Sequence, residues 1–129
     1  MYEQAVLIAL TTTRTNNRRF PLRELRQLIL EADRERLLAA GDPLPGAGPF
    51  MLYRGVAGRG PARRVRGVSW TASKEQARWF AERGASWGLD DPAVFWVQAG
   101  ADDVMAYTNH RQEEEFIVLL PYSAMPARA

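Results

Sequence analysis

The sequence predicts an α+β fold, and three observations lead to that prediction. A helical pattern occupies residues 1–42, and a break rich in proline and glycine, PLPGAGP, follows at 43–49. Short aromatic and β-branched runs fill the rest of the chain, with one helical pattern among them. Helices segregated to one end of a mainly β arrangement are typical of the α+β class. We therefore expect two helices first, then a β half with one inserted helix.

The helical segment has two parts. The stretch PLRELRQLILEADRERLLAAG at 21–41 repeats apolar residues at near-helical spacing, and Gly41 suits the position just past the last turn. The earlier stretch YEQAVLIAL is short enough to be helix or strand. We favour helix, followed by a turn at TTTRTNNRR. The prediction is thus a short helix and then one continuous helix over 21–41.

The second half of the chain reads as strands bounded by Gly, Pro or Asp. The candidate strands are FMLYRGV, GVSWTAS, AVFWVQA, DDVMAYT and EEFIVLLP. Between the second and the third lies SKEQARWFAERGA, where Ser73 suits an N-cap and Gln76 completes a capping box. This helix is expected to end at Gly84.

Composition excludes several kinds of site. At 129 residues, 47% of them hydrophobic, the chain has room for one core, so we expect a single domain over 1–129. No cysteine is present, and His110 is the only histidine, which excludes disulfides, thiolate metal sites and multi-histidine metal sites. No stretch approaches the roughly 20 apolar residues of a membrane helix. Glu3 stands where a signal peptide would be basic. We expect a cytoplasmic protein without metal or membrane partner.

The basic residues are almost all arginine. The formal charge is +2 and the pI about 9.4, with Lys74 as the single lysine. Two groups stand out, Arg14, Arg18 and Arg19 in the first half and Arg59, Arg63, Arg64 and Arg66 before the second strand. Such groups suit a nucleic acid or an acidic protein target, and solvated loops are the alternative.

Three consecutive carboxylates, Glu113, Glu114 and Glu115, precede the last apolar run in QEEEFIVLLP. On an extended chain Glu113 and Glu115 would share a face, with Glu114 on the other. Like charges so placed raise each other's pKa and cost stability. The pair therefore needs either a function or a solvent-facing turn.

Two earlier stretches carry polar groups at strand positions. Arg54 lies in LYRGV, and in GVSWTAS the side chains of Ser69 and Thr71 alternate with Trp70. The motifs therefore follow one another in a fixed order along the chain. An arginine on a strand comes first and Ser69-x-Thr71 second; a helix follows, and Glu113-x-Glu115 then precedes the last apolar strand.

This order resembles the ADP-ribosyltransferase superfamily of the Arg-Ser-Glu type, which includes bacterial toxins and many small phage and actinobacterial proteins. The resemblance covers 50–121, over half the chain, and rests on LYRGV, RGVSWTAS with the ARWFAERGA helix, AGADDVMAY and EEEFIV. It implies an ADP-ribosyltransferase-like domain with a split β-sheet core, in which 50–121 is the catalytic part and 1–42 a helical N-terminal segment.

The resemblance also implies residue roles. Arg54 matches the arginine that holds the NAD phosphates and ribose, and Ser69 matches the serine that orders the NAD pocket, with Thr71 supporting its strand. Glu115 matches the catalytic glutamate, and Glu113 matches the residue that assists the incoming nucleophile. A different register, Gln112-x-Glu114, also fits a variant of the motif and implies a different acceptor.

Further residues of these motifs are candidates for NAD contact. Gly55 follows Arg54, and nicotinamide needs an apolar or aromatic surface that Tyr53, Trp70 or Phe80 could provide. For Trp70 we favour a core anchor, because an aromatic side chain buries a large area.

The function implied is NAD-dependent mono-ADP-ribosyl transfer, with NAD as substrate and a protein or nucleic acid as acceptor. Two alternatives remain open from the sequence. One is an NAD glycohydrolase of the same fold, which uses water as acceptor. The other is a non-catalytic module that binds nucleic acid or protein through its arginines.

Overall fold

A computed structural model describes residues 2–12, 21–59, 63–86 and 88–129. This part of the chain is mixed α+β, as predicted, with four α-helices and one antiparallel sheet of six strands. The helices are α1 Tyr2–Thr12, α2 Leu22–Leu30, α3 Arg34–Ala40 and α4 Lys74–Ser86. The strands are β1 Phe50–Val56, β2 Ser69–Thr71, β3 Ala93–Ala99, β4 Val104–Thr108, β5 Glu115–Val118 and β6 Ala127–Arg128. Short 3₁₀ turns, Ala101–Asp103 and His110–Gln112, precede β4 and β5.

The helix predicted over 21–41 is two helices, so that prediction was wrong. Asp33 lies between α2 and α3 in an extended conformation and caps α3, its carboxylate accepting from the Arg36 N–H at 3.0 Å. A side chain that caps the backbone locally offers an alternative to continuing a helix. The other helical predictions, α1 and the end at Gly41, are confirmed. Most of the turn predicted after α1, together with Arg14, Arg18 and Arg19, lies outside the described residues.

The order of strands across the sheet is β4-β5-β2-β1-β3-β6. β1 and β3 pair along seven positions, whereas β1 and β2 share the single registered pair Tyr53↔Thr71. A narrow seam therefore joins two halves, β4-β5-β2 and β1-β3-β6. All five predicted strands are present, and β6 was not predicted because two residues give no periodic pattern.

Apolar clusters cover both faces of the β4-β5-β2 half. On one face, residues of α1, α2 and α3 pack with Val68, Ala106 and Ile117. The other face buries Trp70 and Phe116 in a cluster with Leu52, Val97, Ala99, Val104, Tyr107, Val118 and Leu120. The sheet thus forms the middle layer of this half.

Helix α4 begins as predicted, with the Gln76 N–H donating to the Ser73 hydroxyl at 3.2 Å. The helix runs two residues past Gly84, to Ser86. It lies so close to β1 that a Cβ atom on Gly55 would overlap the carbonyl of Ala77. Only glycine allows this approach of helix to strand.

Replacing Gly55 by Ala is expected to destabilise the protein by roughly 1–3 kcal/mol, because α4 must move away from β1. Urea unfolding would measure the loss. Gly46→Ala is the matched control, since the nearest atom to its added Cβ would be 4.0 Å away. Equal unfolding midpoints for the two variants would contradict this account of the packing.

The buried carboxylate of Glu3 joins α1 to the start of α3. Its Oε2 accepts from the Asp33 N–H at 3.0 Å, and this hydrogen bond, helped by the charge of Arg36, lowers the pKa of Glu3 below its usual value of 4.5. A lowered folded-state pKa stabilises the fold above the unfolded-state value, and that contribution is lost as the pH falls through the folded-state pKa.

We therefore expect the free energy of unfolding to fall more steeply in the wild type than in Glu3→Gln as the pH drops below about 4.5. Chemical unfolding at a series of pH values checks this. Glu82→Gln, on the exposed side of α4, should keep the wild-type slope. A Glu3→Gln slope equal to that of the wild type would show that the carboxylate does not couple α1 to α3.

Candidate active site

Glu115 is the most buried carboxylate in the described part of the chain, 3% exposed at the first position of β5. Its Oε2 accepts a hydrogen bond of 2.5 Å from the Ser69 hydroxyl on β2. A carboxylate withdrawn from water needs such a partner. The sheet therefore holds Glu115 in one orientation against Ser69.

The registers of the strands explain why these residues meet. Thr108 of β4, Glu115 of β5, Thr71 of β2 and Tyr53 of β1 follow one another in registered pairs across four adjacent strands. Residues paired in this way share a face of the sheet. Three stretches that are far apart in the sequence thus place Tyr53, Thr71 and Glu115 in one row, with Ser69 beside it.

Arg54 is joined to this row through the main chain of Ser69. The side chain of Arg54 leaves β1 on the face opposite Tyr53, because neighbouring strand residues alternate. Its Nη1 donates to the Ser69 carbonyl at 2.9 Å, and its Nε donates to the Arg64 carbonyl at 3.2 Å. Gly67 packs directly against the guanidinium, which a Cβ at this position would overlap. Arg54 therefore holds the segment that leads into β2.

Thr71 ties the glutamate turn to the start of α4. Its hydroxyl donates to the Glu113 carbonyl at 2.8 Å and accepts from the Ser73 N–H at 3.0 Å. The Ala72 N–H donates to the Glu114 carbonyl at 3.2 Å. These three bonds position the turn that carries Glu113 and Glu114.

The expectation that Glu113 and Glu115 share one face of an extended chain was wrong. Glu113 has helical dihedrals, φ −82° and ψ −12°, at the end of a 3₁₀ turn, and Glu114 lies in the left-handed region at φ 47°. The turn is held from outside by Thr71 and by Asn109, whose side chain accepts from the Glu114 N–H at 3.2 Å. Among the three glutamates only Glu115 lies in the strand, and Glu113 and Glu114 are half-buried.

Two of the other candidates lie away from Glu115. Trp70 is 1% exposed in the core on the opposite face, and its indole N–H donates to the Gly67 carbonyl at 2.9 Å. Gly55 faces α4, where it allows close packing. Tyr53 is half-buried in the row with Glu115, and Phe80 is half-buried on α4 against Trp79.

Arg63 lies beside Phe95 of β3, which is the registered partner of Arg54. The Arg63 guanidinium is 5.6 Å from the centre of the Phe95 ring, and its Nη2 donates to the Asp91 carbonyl at 3.2 Å. Its Nε is buried and has no acceptor among the described residues. An unsatisfied buried donor costs about 1–3 kcal/mol, so a ligand oxygen at this point would relieve the cost. The sequence identified Arg63 only as one of four clustered arginines.

The remaining chemistry of the described residues is limited. Within the described ranges, no group of three or more His, Cys, Asp or Glu side chains is arranged to hold a metal ion. Among the helices of the same ranges, none is both long and apolar enough to cross a membrane.

A scan against protein-family models finds no match, and searches of curated proteins and of solved structures find none either.

Proposed function

We propose that this chain is an NAD-dependent mono-ADP-ribosyltransferase of the Arg-Ser-Glu type that modifies a macromolecule. The observation that carries the proposal is the buried Glu115 carboxylate, held by the Ser69 hydroxyl at 2.5 Å on the neighbouring strand. The sequence resemblance matched these two residues to the catalytic glutamate and the pocket serine. Their contact supports that match.

Glu115 acts on the bond between the ribose C1′ and the nicotinamide nitrogen. When this bond breaks, its electron pair goes to the nicotinamide, which leaves neutral, and positive charge develops on the ribose. A fixed carboxylate in a site of low dielectric stabilises that charge more in the transition state than in the ground state. The hydrogen bond from the Ser69 hydroxyl holds the Glu115 carboxylate in one orientation.

We assign the diphosphate of NAD to Arg54 and Arg63, on the face of the sheet opposite the row that holds Glu115, so the dinucleotide must extend across the short strand β2 to contact both. Both arginines lie beside Phe95, and guanidinium groups pair with phosphate oxygens through parallel hydrogen bonds. The buried Nε of Arg63, which has no acceptor within the described ranges, provides a donor for an anionic oxygen. Arg54 and Arg63 both carry a positive charge and both lie beside Phe95. An anion bound between their guanidiniums would reduce the repulsion between the two charges.

Glu113 serves the acceptor. As the nucleophile forms its bond to C1′, its proton must leave, and the Glu113 carboxylate, two residues before Glu115, is the group we assign to accept it. Thr71, on β2, holds that turn in place because its hydroxyl donates to the Glu113 carbonyl. In this proposal, the choice of acceptor depends on the turn that carries Glu113. Cleavage of NAD depends on Glu115, which the sheet holds.

The test is incubation of the purified protein with NAD, with and without cell lysate, followed by assay of nicotinamide, free ADP-ribose and ADP-ribose bound to macromolecules. We expect nicotinamide release, with ADP-ribose bound to a lysate component. Free ADP-ribose equal to the nicotinamide would assign the NAD glycohydrolase activity instead. If no nicotinamide were released and calorimetry detected no NAD binding, both the transferase and the glycohydrolase assignments would be overturned.

A further inference from the structure

Three segments of the chain meet at Tyr122, a residue of the turn after β5. Tyr122 is 81% exposed. The guanidinium carbon of Arg26, on α2, lies 5.4 Å from the centre of its ring, and that of Arg66, from the segment before β2, lies 5.9 Å away. We call Arg26, Arg66 and Tyr122 the Tyr122 surface. Its position after β5 separates it from Glu115, which begins the strand.

Main-chain carbonyls of the turn hold both arginines in place. Arg26 Nη1 donates to the Leu120 carbonyl at 3.2 Å. Arg66 Nη1 and Nη2 donate to the carbonyls of Ala124 at 2.6 Å and Pro121 at 3.0 Å. Side chains already held in this way lose less conformational freedom when a ligand binds.

Within the described ranges, no carboxylate forms an ion pair with the positive charges of the Tyr122 surface. The partners of Arg26 and Arg66 are neutral carbonyls, and neither guanidinium forms an ion pair with a carboxylate among the described residues. Arg59 differs, because it pairs with Asp91 at 2.7 Å. Two guanidiniums without an ion-pair partner among the described residues therefore lie over an exposed aromatic ring.

We propose that the Tyr122 surface binds single-stranded nucleic acid. A base stacks on the exposed ring of Tyr122, and the neighbouring phosphates contact Arg26 and Arg66, whose guanidiniums lie over the same ring. Stacking on an aromatic side chain combined with arginine contacts to the backbone is a general mode of single-strand binding. The net charge of +2 and pI of about 9.4 favour an anionic partner.

The exposed ring favours a single strand over other anions. The base faces of a duplex are already stacked on one another, so a duplex could use the arginines but not the ring. An acidic peptide could likewise pair its carboxylates with the guanidiniums, but carboxylates do not stack on an aromatic face.

The experiment measures fluorescence anisotropy of labelled single-stranded oligothymidylate and oligouridylate, without NAD, over a series of salt concentrations. We expect Tyr122→Ala to weaken binding at least about fivefold, the lower limit for loss of one stacked base. Tyr122→Phe keeps the ring and should bind within about twofold of the wild type. The unfolding midpoint of each variant confirms that it folds.

Arg26→Gln should reduce the slope of log affinity against log salt by about 0.7, the value for one phosphate contact on a single strand. Arg66→Lys keeps the charge and should leave this slope unchanged. Arg78→Gln removes an equal charge from the exposed side of α4 and is the matched control, with affinity near that of the wild type.

Absence of binding at low ionic strength would overturn the proposal. So would equal affinity for a duplex, or for a polyglutamate peptide, with no effect of Tyr122→Ala. The proposal is independent of the enzymatic one, because Tyr122→Ala should release nicotinamide from NAD at the wild-type rate. Loss of either activity can therefore be attributed to its own site.

Discussion

Replacing Glu115 by Gln is expected to lower nicotinamide release from NAD at least about a hundredfold, the loss typical of removing one electrostatic contact to a transition state. Glutamine has the same size, and its side-chain oxygen can still accept the Ser69 hydroxyl that now bonds at 2.5 Å. The change therefore removes the negative charge and leaves the packing in place. Single-turnover assay of nicotinamide measures the effect on the bond-breaking step.

Glu114→Gln is the matched control for this experiment. It removes the same charge one residue away, from a half-buried position outside β5. We expect it to retain nicotinamide release, with NAD binding intact in both variants by calorimetry. The reverse result, loss in Glu114→Gln and retention in Glu115→Gln, would favour the Gln112-x-Glu114 register and contradict our assignment.

Replacing Trp70 by Ala is expected to cost about 3–5 kcal/mol of unfolding free energy, because it leaves a large cavity in the core. The same change removes the donor to the Gly67 carbonyl, which bonds the indole at 2.9 Å. Urea unfolding of wild type and variant measures the loss. Trp79→Ala, on an exposed tryptophan of α4, is the matched control and should cost much less.

The Trp70 experiment also separates the two interpretations that the sequence left open. A core anchor affects stability, whereas a residue of the nicotinamide pocket affects NAD binding. If Trp70→Ala kept the wild-type unfolding midpoint and lost NAD affinity, the pocket interpretation would replace the core one.

Local pattern was sufficient for the fold class and for most elements. Aromatic and β-branched runs gave the five longer strands, and the Ser73 cap gave the start of α4, because both signals depend on residues near in sequence. The break at Asp33 was missed because aspartate is tolerated within a helix. Asp33 ends the helical run because it caps α3 and because its N–H donates to the Glu3 carboxylate on α1.

The candidate site was predictable where it depends on strands and not where it depends on turns. Ser69 and Glu115 meet because β2 and β5 are neighbours, and the resemblance had assigned both residues to one site without predicting the pairing. The backbone at Glu113 and Glu114 depends on bonds from Thr71 and Asn109. The contact between Arg54 and Gly67 could likewise be predicted only if the path of the loop before β2 were known. Such contacts between segments cannot be read from spacing.

The two halves of the sheet are joined more by side chains than by backbone pairing. β1 and β2 share one registered pair, Tyr53↔Thr71. Leu52, Val97 and Ala99 of one half pack with Trp70 and Phe116 of the other, and Arg54 of β1 bonds to the Ser69 carbonyl of β2. The relative position of the two halves, and with it the distance from Arg54 to Glu115, therefore depends on the packing of the core.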